Sequence, residues 1–108
     1  MADTFKTLNQ TLGTSNTTVY SVPATANAIV TLGQLANIDG SVSADAYVYV
    51  TDNASGNTRA LVFKTPVPAG AATTFVTGKL ALRPNDSISA KASAASNVDI
   101  TVSVIEIT

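Results

Sequence analysis

The sequence predicts an all-β chain: a single antiparallel sandwich, jelly-roll or immunoglobulin-like, of seven or eight short strands behind an extended amino-terminal arm. Three observations carry this. Apolar and polar residues alternate with period two in several segments, above all in NVDITVSVIEIT (97–108), where Val98, Ile100, Val102 and Val104 share one face of an extended strand. Turn formers recur every eight to twelve residues. No segment carries an amphipathic helical stripe of useful length.

Residues 1–16 form a Thr- and Asn-rich arm, separate from a sandwich domain at 17–108. Its apolar members, Phe5, Leu8 and Leu12, suit a short helical stripe or an irregular docking segment. TTVYSVP (17–23) is a strand that ends where proline removes a ladder donor. Ala26 to Leu35 is apolar on both alternating sets and predicts a central strand. SVSADAYVYVT (41–51) places Val42, Ala44, Ala46, Val48 and Val50 on one face, with Ser43, Asp45, Tyr47 and Tyr49 on the other. TDNASGN (51–57) is a hairpin loop leading to a partner strand at RALVFK (59–64), after which TPVPAG (65–70) breaks regular structure. Phe75 to Leu82 is a further short strand, RPND (83–86) a turn, and SISAKASA (87–94) another alternating strand. Ala95 to Asn97 turns the chain into the closing run, where the apolar set changes parity at Ile105 and Ile107. A bulge there, or a strand that leaves its sheet to meet another layer or chain, accounts for the change. So does a terminal strand capped by the arm.

The chain has 108 residues, enough for one domain that hides roughly 60–65% of its unfolded surface. Charged residues are only 12% of the chain, and six basic against seven acidic side chains leave a net charge of −1. With no Lys/Arg cluster to follow a phosphate backbone, nucleic acid is not expected as a partner. The chain has no Cys and no His, which removes disulfides, thiolate chemistry and the commonest general base and metal ligand. No cofactor is expected. The N-terminal segment is neither basic nor apolar enough for a secretion signal and no run approaches about 20 apolar residues, so a membrane partner is not expected. The chain is expected to be made and kept in the cytoplasm unless it leaves inside a larger particle. The N-x-Ser/Thr triplets at Asn9, Asn16, Asn53 and Asn85 accordingly read as turn and strand-edge residues.

Catalytic and metal readings find little footing. Neither a GxSxG elbow nor an SxxK pair occurs, and Asp3, Asp39, Asp45, Asp52, Asp86, Asp99 and Glu106 are scattered, so only convergence in space would pair two carboxylates. Asp52, Asn53, Ser55 and Asn57 offer oxygens close together but lack EF-hand spacing, and they read as an ordinary hairpin loop. Lys64, Lys79 and Lys91 read as solvated strand-edge charges. Tyr47 and Tyr49, two apart on a solvent-side set, suit a subunit contact, a cover for a second sheet, or a sugar-stacking platform.

FKTLNQ, TTVYSVPA, the Ala/Ile/Val strand, a variable hairpin, PVPAG, a short apolar strand, PNDSISAKAS and the ending VDITVSVIEIT together resemble small virion proteins of tailed bacteriophages. The resemblance covers nearly the whole chain. One departure is Thr25, where the first VPA turn would usually continue with glycine. What the resemblance implies is a non-enzymatic structural protein of the virion. It would decorate and stabilise the capsid as a cement protein, or serve as a neck or tail accessory. Its partners would be copies of itself, for instance in a trimer, and the major capsid protein or neck and tail proteins. Phe5, Leu8 and Leu12 are then the expected docking residues, Tyr47 and Tyr49 the lateral contacts, and Ile105 and Ile107 a contact to a neighbour. The alternative is a carbohydrate-binding or adhesion module of a tail fibre or cell surface.

Overall fold

The computed structural model describes residues 3–76, 79–94 and 96–108. Among the described residues nine strands follow in order: β1 (Asp3–Thr11), β2 (Thr17–Ser21), β3 (Asn27–Asn37), β4 (Ala44–Asp52), β5 (Asn57–Val67), β6 (Ala72–Val76), β7 (Leu80–Leu82), β8 (Ser87–Ala92) and β9 (Val98–Ile107). Sheet A has the order β1-β9-β3-β6, with β7 also on β3, and sheet B the order β2-β8-β4-β5; every pairing is antiparallel. β6 and β7 pair successive stretches of β3. Taken as one interrupted strand they leave eight strands in the double Greek-key order of a jelly roll, which decides against the immunoglobulin-like alternative. Thr77, Gly78 and Ala95, expected in the 75–82 strand and the last turn, lie outside the described residues, as do Met1 and Ala2 of the expected arm.

The core forms between the inward faces of the two sheets. β9 alternates buried and half-buried over all ten residues, and Val98, Ile100, Val102 and Val104 meet Val30 and Leu35 of β3 and Val48, Ile88 and Ala90 of sheet B. β-branched residues at the inward steps suit this pleated, dry layer. Small Ala side chains at 44, 46, 90 and 92 accompany the larger ones. β3 and β9 are central in sheet A and β4 and β8 in sheet B, so each is paired on both sides.

Several expectations change. Residues 3–11 are neither helical nor irregular: they are β1, in unbroken register with β9 from Asp3↔Ile107 to Thr11↔Asp99. Within TFKTLNQT the register sets Phe5, Thr7, Asn9 and Thr11 on the outward face and Thr4, Lys6, Leu8 and Gln10 on the inward one, opposite Glu106, Val104, Val102 and Ile100 of β9. β5 continues through Pro66 to Val67, because an edge strand tolerates a residue without an N–H and Val67 is drawn fully into the core. Val42 lies ahead of β4 and is exposed.

The parity change in β9 involves no bulge in β9. The register with β1 is continuous, and the extra residue is Thr31 of the neighbouring β3, between Val30 and Leu32. Alternation simply persists, so Glu106 faces inward while Ile105 and Ile107 face outward. The hairpin loop after β4 closes on Gly56, whose φ of 75° suits glycine and whose N–H donates to the Asp52 carbonyl at 2.8 Å. The turns at Pro23–Ala26 and Pro68–Ala71 differ as Thr25 foretells: the second uses Gly70 at φ 71°, whereas Thr25 has no positive φ.

Candidate functional site

Four features stand out from the sandwich, and the first is apolar. On the outward face of sheet A, Phe5 pairs with Ile105, Ile105 with Ile29, and Ile29 with Ala81, a row that crosses β1, β9, β3 and β7 from one edge of the sheet to the other. Leu32 and Ile107 flank it. Phe5 is 78% exposed, whereas Ile29, Ile105 and Ile107 are half-buried by their neighbours. The apolar side chains of this face are contiguous and not scattered singly over the surface.

Behind that row, Glu106 is buried at 5% exposure and joins the two sheets. Its carboxylate accepts a hydrogen bond from the Tyr20 hydroxyl of β2 at 2.5 Å, and Lys6 of β1 lies 3.0 Å from its other oxygen. Hydrogen bonding from Tyr20, helped by the Lys6 ammonium, holds the Glu106 carboxyl below the usual carboxylate range despite desolvation. Burial, with the neighbouring carboxylate, pushes the Tyr20 hydroxyl well above its ordinary value. This explains the inward acid in an otherwise apolar set: it is a clasp between edge strand β1, central strand β9 and the opposite sheet.

The outward face of sheet B carries a smaller aromatic cluster. The Phe63 ring meets the Tyr47 ring edge-on, with centroids 5.4 Å apart, and Lys91 Nζ stands 4.9 Å from the Tyr47 centroid. The Tyr47 ring is therefore engaged by a cation and an aromatic edge, an arrangement unlike the open coplanar platform that sugar stacking needs. Lys91 lies on central β8 and not at an edge, while Lys64 sits at the β5 edge with φ 52° beside a register shift.

The fourth feature is a surface notch of about 360 Å³ between the β4–β5 loop and β7, lined in part by Asp52, Arg59, Arg83 and Asp86. Its acids are already engaged. Asp52 takes both oxygens to Arg83 at 3.1 Å and also accepts from the Ser55 hydroxyl and the Ala54 N–H; these bonds, Ser55 foremost, lower its pKa. Asp86 accepts the backbone N–H groups of Asn53 and Arg83, each at 2.9 Å, and so ties the hairpin loop to the 83–86 turn. The loop oxygens thus serve the loop itself. Among the described residues no three acidic side chains gather as a metal-binding cluster, and no helix is long and apolar enough to cross a membrane.

Of the residues expected at contacts, Phe5 and Ile105 come together as a cross-strand pair and Ile107 lies beside them. Leu12 does not join them: it is 1% exposed, and its N–H donates to the Val98 carbonyl at 2.8 Å, so it anchors the end of β1 in the core. Leu8 is half-buried against the same core. Tyr47 and Tyr49 are half-buried on the other sheet and belong to a different surface. Ile29, Leu32 and Phe63 escape sequence reasoning. Phe63 was findable, since Leu61 and Phe63 share one alternating set of RALVFK; Ile29 was masked by a strand apolar on both sets.

The strand order thus defines a jelly-roll sandwich with an apolar row on the outward face of one sheet and an aromatic cluster on the other. No family model and no curated protein matches the chain. Among solved structures it is similar to a protein of Bacillus endospore appendages, described as disulfide-linked pili, at a TM-score of 0.58 and 15% identity over 99% of this chain and 87% of that one. It is also similar to a chain of the acid-stable capsid of Helicobacter pylori bacteriophage KHP30, at a TM-score of 0.57 and 12% identity over 100% of this chain and 89% of that one. At such identities the likeness is one of fold.

Proposed function

We propose that the chain is a non-enzymatic structural subunit of a virus particle, made in the host cytoplasm and incorporated into the virion, where it decorates and stabilises the capsid. The observation that carries this reading is the apolar row Phe5–Ile105–Ile29–Ala81 across the outward face of sheet A, on a chain whose Asp52, Asp86 and Glu106 are engaged in structural bonds. A surface of that kind serves extended contact with other subunits, its own copies among them. Support comes from the fold, shared over nearly the full length with a capsid chain, and from the virion-protein resemblance of the sequence. Since this chain has no cysteine, it can enter no disulfide with a neighbour, unlike subunits of the appendage described as disulfide-linked.

A decoration protein stabilises a shell because it binds the assembled lattice and not its free subunits, which shifts the equilibrium away from disassembly. The test is co-sedimentation of the purified chain with particles lacking it, with Phe5→Ser and Ile105→Ser as comparison. Saturable binding that weakens at least about tenfold in each variant supports the reading; loss of one apolar anchor of about 1.5–2 kcal/mol in each predicts that scale. Binding to tails or necks alone moves the site to those structures. Glycan binding without particle binding favours the adhesion module instead.

A further inference from the structure

We infer that two copies of this chain pair edge to edge through β1, antiparallel, with Phe5 on the two-fold axis. This goes beyond the virion reading and stands on a different observation, the unequal protection of the sheet edges. Three edges are blunted in the ways that discourage strand addition. β2 has five residues and a register shift between Thr18 and Tyr20. β5 has two register shifts, Lys64 at φ 52° and Pro66. On the far side of sheet A, β6 has five residues and pairs across a register shift, and β7 has only three. β1 is different: nine residues, no proline, no register shift, and its inward Lys6 already neutralised by Glu106 at 3.0 Å. Its outer backbone edge fits only water or another strand.

The register follows from the side chains. With Phe5 opposite Phe5 of the second copy, Thr4 faces Lys6 and Asp3 faces Thr7, so no like charges meet. Because a two-fold axis normal to the sheet keeps both outward faces on one side, the apolar row continues unbroken: Ala81, Ile29, Ile105 and Phe5, then the same four in reverse. Centring the pair on Thr7 instead would set Phe5 against Asn9 and interrupt the row. The largest exposed side chain of the face thereby gains an apolar partner, and each contact occurs twice, as a closed two-fold interface requires. The overlap of residues 3–7 is smaller than the roughly 800 Å² per partner of a standard interface, so the pair is weak and forms at high concentration.

The chain has no cysteine, which makes the test direct. Phe5→Cys, Thr7→Cys and Asn9→Cys are oxidised under mild conditions at high protein concentration, and sedimentation of the unmodified protein is followed beside Phe5→Lys. The expected result is a concentration-dependent dimer, lost in Phe5→Lys with an unchanged circular-dichroism spectrum, and cross-linking of Phe5→Cys at least about tenfold faster than of Asn9→Cys. Faster cross-linking of Thr7→Cys than of Phe5→Cys overturns the register. A chain monomeric at all concentrations, or a dimer that survives in Phe5→Lys, overturns the pairing itself. Either failure leaves co-sedimentation with particles unaffected, so this inference and the proposed function fall separately.

Discussion

Removing the Tyr20 hydroxyl tests whether the buried acid of β9 is a clasp. In Tyr20→Phe the Glu106 carboxylate keeps Lys6 but loses a charged hydrogen bond of 2.5 Å across the two sheets. A hydrogen bond to a charged group contributes about 1.5–3 kcal/mol, which for a domain of this size lowers Tm by on the order of 10 °C. Glu106→Gln retains an acceptor for Tyr20 and loses the ion pair, whose Lys6 side chain is 44% exposed and whose own contribution is accordingly at most about 1 kcal/mol. Urea unfolding of Tyr20→Phe, of Glu106→Ala, which removes the acceptor that glutamine retains, and of the double variant gives the coupling, expected at about 1.5–3 kcal/mol. The pH dependence has a definite sign. Glu106 has a folded pKa below its unfolded value, so its contribution is present at neutral pH and disappears as pH falls below the ordinary 4.5 and through the folded pKa. Tyr20 has a folded pKa above its unfolded 10.0, so stability present below pH 10 declines as pH rises past it. Coupling under about 0.5 kcal/mol, or acid unfolding curves that run parallel in the unmodified protein and Glu106→Gln, would refute the clasp.

Leu12→Ala should cost about 2–5 kcal/mol by urea unfolding, since the side chain is wholly buried, whereas Phe5→Ser should stay within about 0.5 kcal/mol of the unmodified monomer. Gly33→Ala places a methyl group 2.5 Å from the Phe75 ring that covers the glycine; a loss of about 1–3 kcal/mol is expected, relieved when Phe75 is also replaced by Leu, as thermal melts of the three variants will reveal. Asp86→Ala strands two backbone N–H groups. Hydrogen exchange should quicken at Asn53 and Arg83 while β9 keeps its protection.

The strands that sequence reasoning located best are those with one dry face. Val98 to Val104, Ala44 to Val48 and Ser87 to Ala92 alternate because each has one neighbour layer, and the hydrophobic period records that directly. β1 was illegible for the opposite reason: its outward residues meet water, its inward set includes Lys6 and Gln10, and pairing with β9 is a non-local fact that no local pattern carries. Glu106 inverted its reading. An acid between two isoleucines looks like a change of face, and only the Tyr20 hydroxyl, 86 residues away in sequence, makes the inward position acceptable. The contact face was half legible, in Phe5 and Ile105; their adjacency belongs to the register.

The proposed function is tested most directly by quantitative mass spectrometry of density-gradient-purified particles from the lysate in which the chain is made. A structural subunit is present in fixed ratio to the major capsid protein and is released by conditions that loosen apolar contacts without cutting the shell. A chain that stays with the soluble fraction, or whose ratio to the capsid protein varies freely between preparations, contradicts that role.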